Sequence, residues 1–225
     1  VMSSVPGMSG EEDRARLLDR FARMYAPAIG TGATMDYLGQ TGRDALMGAD
    51  IIKAAPENYT STIEYADNGI AKYLRDVARV HTANLGTQIF YTAHGPFDTH
   101  FNQPPMHARL WTEVSGAISD FFDDLREHDA ADNLIMMIFT EFGRRVRDNG
   151  TGTDHGAGGG AFIIGDQVKG GMYGNYPSLK PEDLNQGDLD PSYDFRGFYS
   201  SVVDQWLGLD PVPIVGGKFE QIQFV

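Results

Sequence analysis

The 225-residue chain contains no cysteine, which excludes disulfides, thiolate zinc sites and cysteine nucleophiles. The compartment stays open, because exported proteins also dispense with cysteine. Positive charge is scarce: 18 Lys and Arg stand against 31 Asp and Glu, a formal net charge of -13. A field of that sign repels nucleic acid and anionic membrane surfaces, so no nucleic-acid partner is expected. It also slows capture of an anionic substrate unless a metal or an arginine reverses the potential locally. No apolar run approaches the ~20 residues that cross a bilayer, so no membrane span is expected. The opening Val1-Met-Ser-Ser4 lacks the basic and hydrophobic segments of a signal peptide, and a start on valine reads as a processed or incomplete N-terminus. Gly156 to Gly160 lacks the Lys-Ser/Thr of a phosphate-binding loop and precedes a strand pattern, which argues against nucleotide binding.

What is present suits one soluble folded unit: 41% of the residues are hydrophobic and 22% charged, and there are no internal repeats or separate linkers. The chain reads as a single domain over 1–225, with a helical segment at 1–84 and an α/β segment at 85–225. A first helix is expected from Ser9 as N-cap, with Glu11, Glu12 and Asp13 in its first turn, Leu17, Leu18, Phe21 and Met24-Tyr25 at helical spacing, and Pro27 as its end. A second runs from Thr34 to about Lys53 on Tyr37, Leu38, Leu46, Ile51 and Ile52. A third runs from Asn68 to about His81 on Ile70, Tyr73, Leu74, Val77 and Val80.

Beyond residue 85 the pattern predicts a buried strand over Thr87–Thr92, an amphipathic helix from Pro105 to about Glu127, and a second buried strand over Leu134–Thr140. That is a β-α-β unit, which implies parallel strands with ligands gathered beyond their carboxyl ends. A long glycine-rich loop follows from Gly143 to Gly160, then a short strand at Ala161–Ile164, a turn and short strand around Gly170–Gly174, and a helix from Phe195 to Leu207. That last helix turns Phe198, Tyr199, Val202, Val203 and Trp206 inward, and Phe219–Val225 is a candidate edge strand. The sheet looks unfinished, so either the early helices cover it or further strands precede residue 1.

Chemistry-bearing residues concentrate at the predicted strand ends. Asp98 and His100 follow the first strand, Glu141, Arg144 and Arg145 follow the second, and Asp154 and His155 lie in the glycine-rich loop. Imidazole nitrogen with carboxylate oxygen suits a divalent transition metal, and an Asp/His/His set with an open position is the make-up of a hydrolytic site. Zinc or manganese leads, with calcium as a further option. Each residue also has a plainer reading, in which the aspartates bond loop backbone and Glu141 pairs with Arg144. The convergence of three segments on one rim favours the metal. His81, His107 and His128 sit in helical patterns as capping or packing residues, and His94 reads as a packing residue or a neighbour of the ligands. Met136, Met137, Phe121 and Phe122 read as core.

Four motifs in order, Phe97-Asp-Thr-His100, Thr140-Glu-Phe-Gly-Arg-Arg145, Asn149-Gly-Thr-Gly-Thr-Asp-His-Gly156 and Val168-Lys-Gly-Gly-Met-Tyr-Gly174, carry a resemblance over most of the chain. They resemble an uncharacterised bacterial family, commonly exported by the twin-arginine route, in the alkaline phosphatase/sulfatase superfamily. The resemblance implies a mostly parallel α/β sheet flanked by helices, of which this is the C-terminal part, and a periplasmic or extracellular location. It also implies hydrolysis of phosphate or sulfate esters, small or polymeric. Asp98, His100 and His155 resemble the ligands of one superfamily metal, and Asp154 is counted with them as a metal residue. In the leading hydrolase reading of the residues, Glu141 helps hold a second metal or acts as base, and Arg144 contacts the anion. Glu141-Phe142 stands where the superfamily has an Asp-His pair, the Asp-X-His spacing is tighter than usual, and the nucleophile belongs to an N-terminal half not found in these residues. An exported binding or envelope-structural protein of the same fold is therefore the alternative.

Overall fold

The computed structural model describes residues 30–54 and 59–225, together with residues 16, 19, 20 and 22–24. Apart from those few positions, the helix expected from Ser9 lies outside the described residues, as do the side chains of Leu46, Ile51 and Ile52 in the next helix. Two compact units are present, one of the segments up to residue 61 with 76–90 and the other of 62–75 with 91–225.

In the first unit, α1 spans Ala33–Ala54. Tyr37 and Leu38, read from spacing as an inward face, are instead 72% and 43% exposed. Arg79 lays its guanidinium over the Tyr59 ring, and His81 meets the edge of Phe90. Both residues belong to α2, Gly69–Thr82, whose first half falls in the second unit.

The second unit is organised on α3, Gln103–Glu127. Leu110, Val114, Ala117, Phe121 and Leu125 recur every three or four positions, which aligns them on one stripe, and all are buried. Ile70, Ala71, Leu74, Phe122, Ala131, Val203 and Phe224 complete the core. Each large side chain so covered contributes about 1.5–3 kcal/mol. The stripe also carries Asp124, fully buried, whose carboxylate accepts the Tyr65 hydroxyl at 2.7 Å and faces His128 Nδ1 at 3.2 Å. His128 also approaches the Asp124 carbonyl at 2.8 Å, a contact at the C-terminal end of the helix.

All described strands pair antiparallel. β1, Met136–Ile138, pairs with β4, Phe162–Ile164, with Met137 opposite Ile163. β2, Gly143–Asp148, folds back on β3, Thr153–Gly156, with Arg144 opposite His155. Three expectations are thereby corrected. Residues 87–92 form no ladder, and Ile89 and Tyr91 are 74% and 78% exposed. A strand needs a neighbour ~4.8 Å away to satisfy its backbone, and the described residues supply none there. The β-α-β unit is accordingly not formed among the described residues. The second strand is three residues long, not seven, because its partner β4 pairs over only three positions. Finally, the glycine-rich stretch read as one long loop is largely a hairpin. Gly143 is required there by closeness: a Cβ on it would stand 2.2 Å from the Gly158 carbonyl oxygen.

Toward the C-terminus, α4 spans Phe195–Gln205 and α5 spans Val212–Val215. The Asp194 side chain caps α4 by accepting the Arg196 N–H at 2.9 Å. The buried face of α4 is small, Gly197, Ser200, Ser201 and Val203, where spacing had placed four bulkier residues beside Val203. Those four are half-buried. The physical reason is close approach: a Cβ on Gly197 would sit 2.1 Å from the Glu220 carbonyl oxygen, and both serine hydroxyls satisfy themselves on carbonyls one turn back. The tail is held without a ladder, since Gln205 bonds the backbone of Ile222 and Phe224 and Lys169 N–H donates to the Phe224 carbonyl. No strand forms at 170–174. Among the described residues, no helix is long and apolar enough to cross a membrane.

Candidate metal centre

The site assembles from the loop at 97–100 and the β2–β3 hairpin. Phe97 is wedged edge-on among His94, His107 and Trp111 at centroid distances of 6.1, 5.6 and 5.5 Å. Just after this anchor the Thr99 N–H bonds the Phe97 carbonyl at 2.9 Å and the Thr99 side chain is buried. The tight turn leaves Asp98 and His100 on the outside, their side chains 59% and 44% exposed. His155 is brought from β3 and is also 44% exposed.

One Asp98 oxygen, Oδ1, gathers both imidazoles: His155 Nε2 lies 2.6 Å away and His100 Nε2 2.9 Å. One ligand atom from each of the three residues lies within 4.8 Å of the other two. Zinc at ~2.0–2.2 Å from nitrogen and oxygen in a tetrahedral arrangement needs neighbouring ligand atoms about 3.3–3.5 Å apart. The observed spacings are those of hydrogen bonds, so the three groups have to part by roughly half an ångström to fit a cation. Donor chemistry and reach both suit one. The His155 bond, ahead of any other influence, holds the Asp98 carboxyl below the usual aspartate range, and the His100 contact does the same for Asp154 with help from Asn149.

Three side chains tie the loops together. Arg144 Nη2 donates to the Phe97 carbonyl at 2.7 Å, and its Nη1 donates to the Thr153 carbonyl, so it grips the residue before Asp98 and the residue before Asp154. Gln103, at the start of α3, accepts the Thr153 hydroxyl at 3.0 Å and donates to the Thr99 carbonyl at 3.2 Å. Asn149 in the hairpin turn donates toward the His100 carbonyl and Asp154. Gly152 permits this crossing, since a Cβ there would lie 2.8 Å from the His100 carbonyl oxygen. Phe142 stacks on His155 at 3.9 Å with 10° between the planes, and the Arg144 guanidinium covers Phe142 at 5.1 Å.

The sequence-derived residues thus divide. Asp98, His100 and His155 come together; Asp154 touches the far side of His100, with Oδ1 3.1 Å from Nδ1. Glu141 is exposed and makes no hydrogen bond or ion pair among the described residues, so the anticipated pairing with Arg144 is absent there. Arg144 is committed to backbone carbonyls. His94 faces Glu113 at 3.2 Å and reaches the site only through Phe97. The bracing roles of Gln103, Asn149 and Phe142 escape sequence reasoning, although a turn signal at Asn149-Gly150 and an aromatic next to a predicted ligand loop are visible.

A family model described as "Protein of unknown function (DUF1501)" matches residues 54–209, more than half of the chain and all of the site. The chain belongs to the DUF1501 family. No curated protein and no solved structure matches it. Within this DUF1501 chain, the matched span contains the Phe97 anchor, the hairpin and every loop brace named above.

Proposed function

We propose that the chain is an exported metal-dependent hydrolase-like protein that acts on phosphate or sulfate esters, small or polymeric. The observation that carries the reading is the convergence of Asp98, His100 and His155, 57 positions apart at the extremes, on one carboxylate oxygen at the surface. An Asp/His/His set would hold zinc or manganese, with calcium less suited to two nitrogen donors, and such a cation supplies Lewis acidity toward an ester oxygen. Its charge would also reverse locally the repulsion that a net -13 imposes on an anionic substrate. The chain's own residues do the rest in this reading. Arg144 has two of its five N–H donors on backbone, and adds positive charge while fixing both ligand loops. Glu141, beyond the end of β1 and without a partner among the described residues, serves as the base that accepts a proton from the attacking group. Periplasmic or extracellular location, twin-arginine export and a mostly parallel sheet in the complete fold belong to the same proposal, resting on the motif resemblance.

A second reading, an exported binding or envelope-structural protein that keeps the site without turnover, is favoured by one observation: the Arg144 guanidinium is held on backbone carbonyls. The two separate in one assay. The full chain is loaded with zinc or manganese and given nitrophenyl phosphate and nitrophenyl sulfate, beside His155→Ala and Glu141→Gln. Hydrolysis that falls about 100-fold or more in both variants supports the hydrolase. Metal binding without hydrolysis supports the second reading, and a wild-type chain that takes up no metal sinks both.

A further inference from the structure

Asp154 stands beside the ligands, and its sequence position next to His155 suggests a fourth ligand. The geometry says otherwise. His100 presents Nε2 to Asp98 at 2.9 Å and Nδ1 to Asp154 at 3.1 Å. The two ring nitrogens lie on different edges of the imidazole, so a cation taken by Nε2 with Asp98 and His155 lies away from the Asp154 carboxylate. Asp154 is itself held: Asn149 donates to the same Oδ1 at 3.2 Å and also to the His100 carbonyl at 3.1 Å. The amide therefore fixes both ends of the His100–Asp154 contact. Among the described residues His155 shows no such carboxylate; it is oriented by its stack on Phe142. The two imidazoles are positioned by different physics, one electrostatic and one by ring packing.

We propose that Asp154 is a positioning residue, which accepts the Nδ1–H of His100 and so presents Nε2 as the ligand atom, and that it does not itself ligate. This rests on the metal-site reading above. A carboxylate behind a ligating imidazole selects the tautomer with the outer nitrogen protonated, orients the ring and raises the basicity of the ligating nitrogen. Removing such a partner weakens metal affinity by roughly 10–100-fold, whereas removing a ligand from a three-ligand site costs far more.

The test is zinc titration of the full chain by calorimetry, with proton–nitrogen correlation spectra of the histidine rings. Wild type, Asp154→Asn, Asn149→Ala and Asp98→Asn are compared. The expected result is a downfield Nδ1–H signal from His100 in zinc-loaded wild type, lost in Asp154→Asn. Affinity drops about 10–100-fold in that variant and much further in Asp98→Asn. Asn149→Ala, which loosens the turn but keeps the carboxylate, should retain the ring signal, a distinction that a merely structural role for Asp154 would not produce. Zinc-edge absorption should count the same protein ligands in wild type and Asp154→Asn. A lost ligand in that count, or unchanged affinity together with an unchanged ring signal, overturns the inference while the metal site stands. Zinc uptake that is absent from wild type, or undiminished in Asp98→Asn, removes the metal-site reading itself. If Asp154→Asn fails to fold, the His100 signal in the wild-type chain still decides: zinc bound through Nδ1, with no Nδ1–H present, contradicts the proposal.

Discussion

Phe142 lies flat against His155, ring centroids 3.9 Å apart and planes 10° from parallel. Phe142 is thus the platform that orients the His155 imidazole. A stacked pair of this kind is worth about 0.5–1.5 kcal/mol beyond the area it buries, enough to hold one ring orientation at an exposed position.

Replacing Phe142 with Ala should leave the His155 ring to rotate. Zinc affinity is expected to fall about tenfold, since 1.4 kcal/mol of lost preorganisation is a factor of ten in binding. Phe142→Tyr, which keeps the ring, should bind as wild type does. Calorimetric titration of both variants checks this.

Arg144 joins the Phe97 and Thr153 carbonyls, and its removal orphans two acceptors while releasing the loops. Hydrogen bonds from a charged donor contribute about 1.5–3 kcal/mol each, with partial recovery by water at a half-buried site. Arg144→Met should therefore lower unfolding stability by about 1–3 kcal/mol in a urea titration, and lower metal affinity as well. Lysine should not restore either, because one ammonium does not reproduce the fork that reaches both carbonyls.

Gly143→Ala places a methyl group 2.2 Å from the Gly158 carbonyl oxygen, a clash that only backbone movement relieves. A cost of about 1–3 kcal/mol is expected, with disturbance of the β2–β3 pairing. Gly160→Ala, whose Cβ meets nothing within 4 Å, serves as the control and should be close to neutral. Thermal melts of the two variants make the comparison.

The Asp194 carboxyl is drawn from its ordinary 3.8 down to about 2, first by the Arg196 side chain and then by its backbone N–H. A group whose folded pKa is depressed stabilises the fold above its unfolded pKa and stops doing so as pH falls through the folded one. The contribution of Asp194 is thus fully present above pH 4 and disappears between about pH 4 and pH 2. Asp194→Asn should flatten the fall of melting temperature with acidification over that interval, and leave the slope above pH 5 unchanged.

In the buried stripe of α3, Tyr65→Phe removes the hydroxyl that donates to Asp124 at 2.7 Å. Loss of a hydrogen bond to a buried carboxyl should cost about 1–3 kcal/mol, visible as a lower urea midpoint with unchanged slope.

Long periodic segments were legible without coordinates. The helices at Ala33–Ala54, Gly69–Thr82 and Gln103–Glu127 start and stop within about two residues of what spacing predicts, because a 3.6-residue repeat persists long enough to be read. The strands were legible only in part: β1 falls inside the expected Leu134–Thr140 and β4 inside Ala161–Ile164, whereas β2 and β3 were not foreseen. Residues 87–92 carry the composition of a buried strand, but pairing is a property of two segments, and the described residues supply no second one there. Conversely, Gly143–Asp148 is charged and glycine-led, so its ladder is invisible to composition and depends on the backbone of Gly158 and β3. On α4, bulk pointed to Phe198 and Tyr199 as the inward face, whereas close chain approach selected Gly197, Ser200 and Ser201.

By itself the sequence determined which chemistry is open at these positions: without cysteine, and with carboxylates and imidazoles clustered at 98–100 and 154–155, a transition-metal site built there has to use oxygen and nitrogen donors. Only the tertiary structure decided how those donors are shared out. Asp98 and Asp154 are the same residue type, each beside a histidine, yet one faces Nε2 of His100 and the other Nδ1. That difference arises from how Arg144, Gln103 and Asn149 cross-link loops about fifty residues apart, and local sequence carries no record of such long-range geometry.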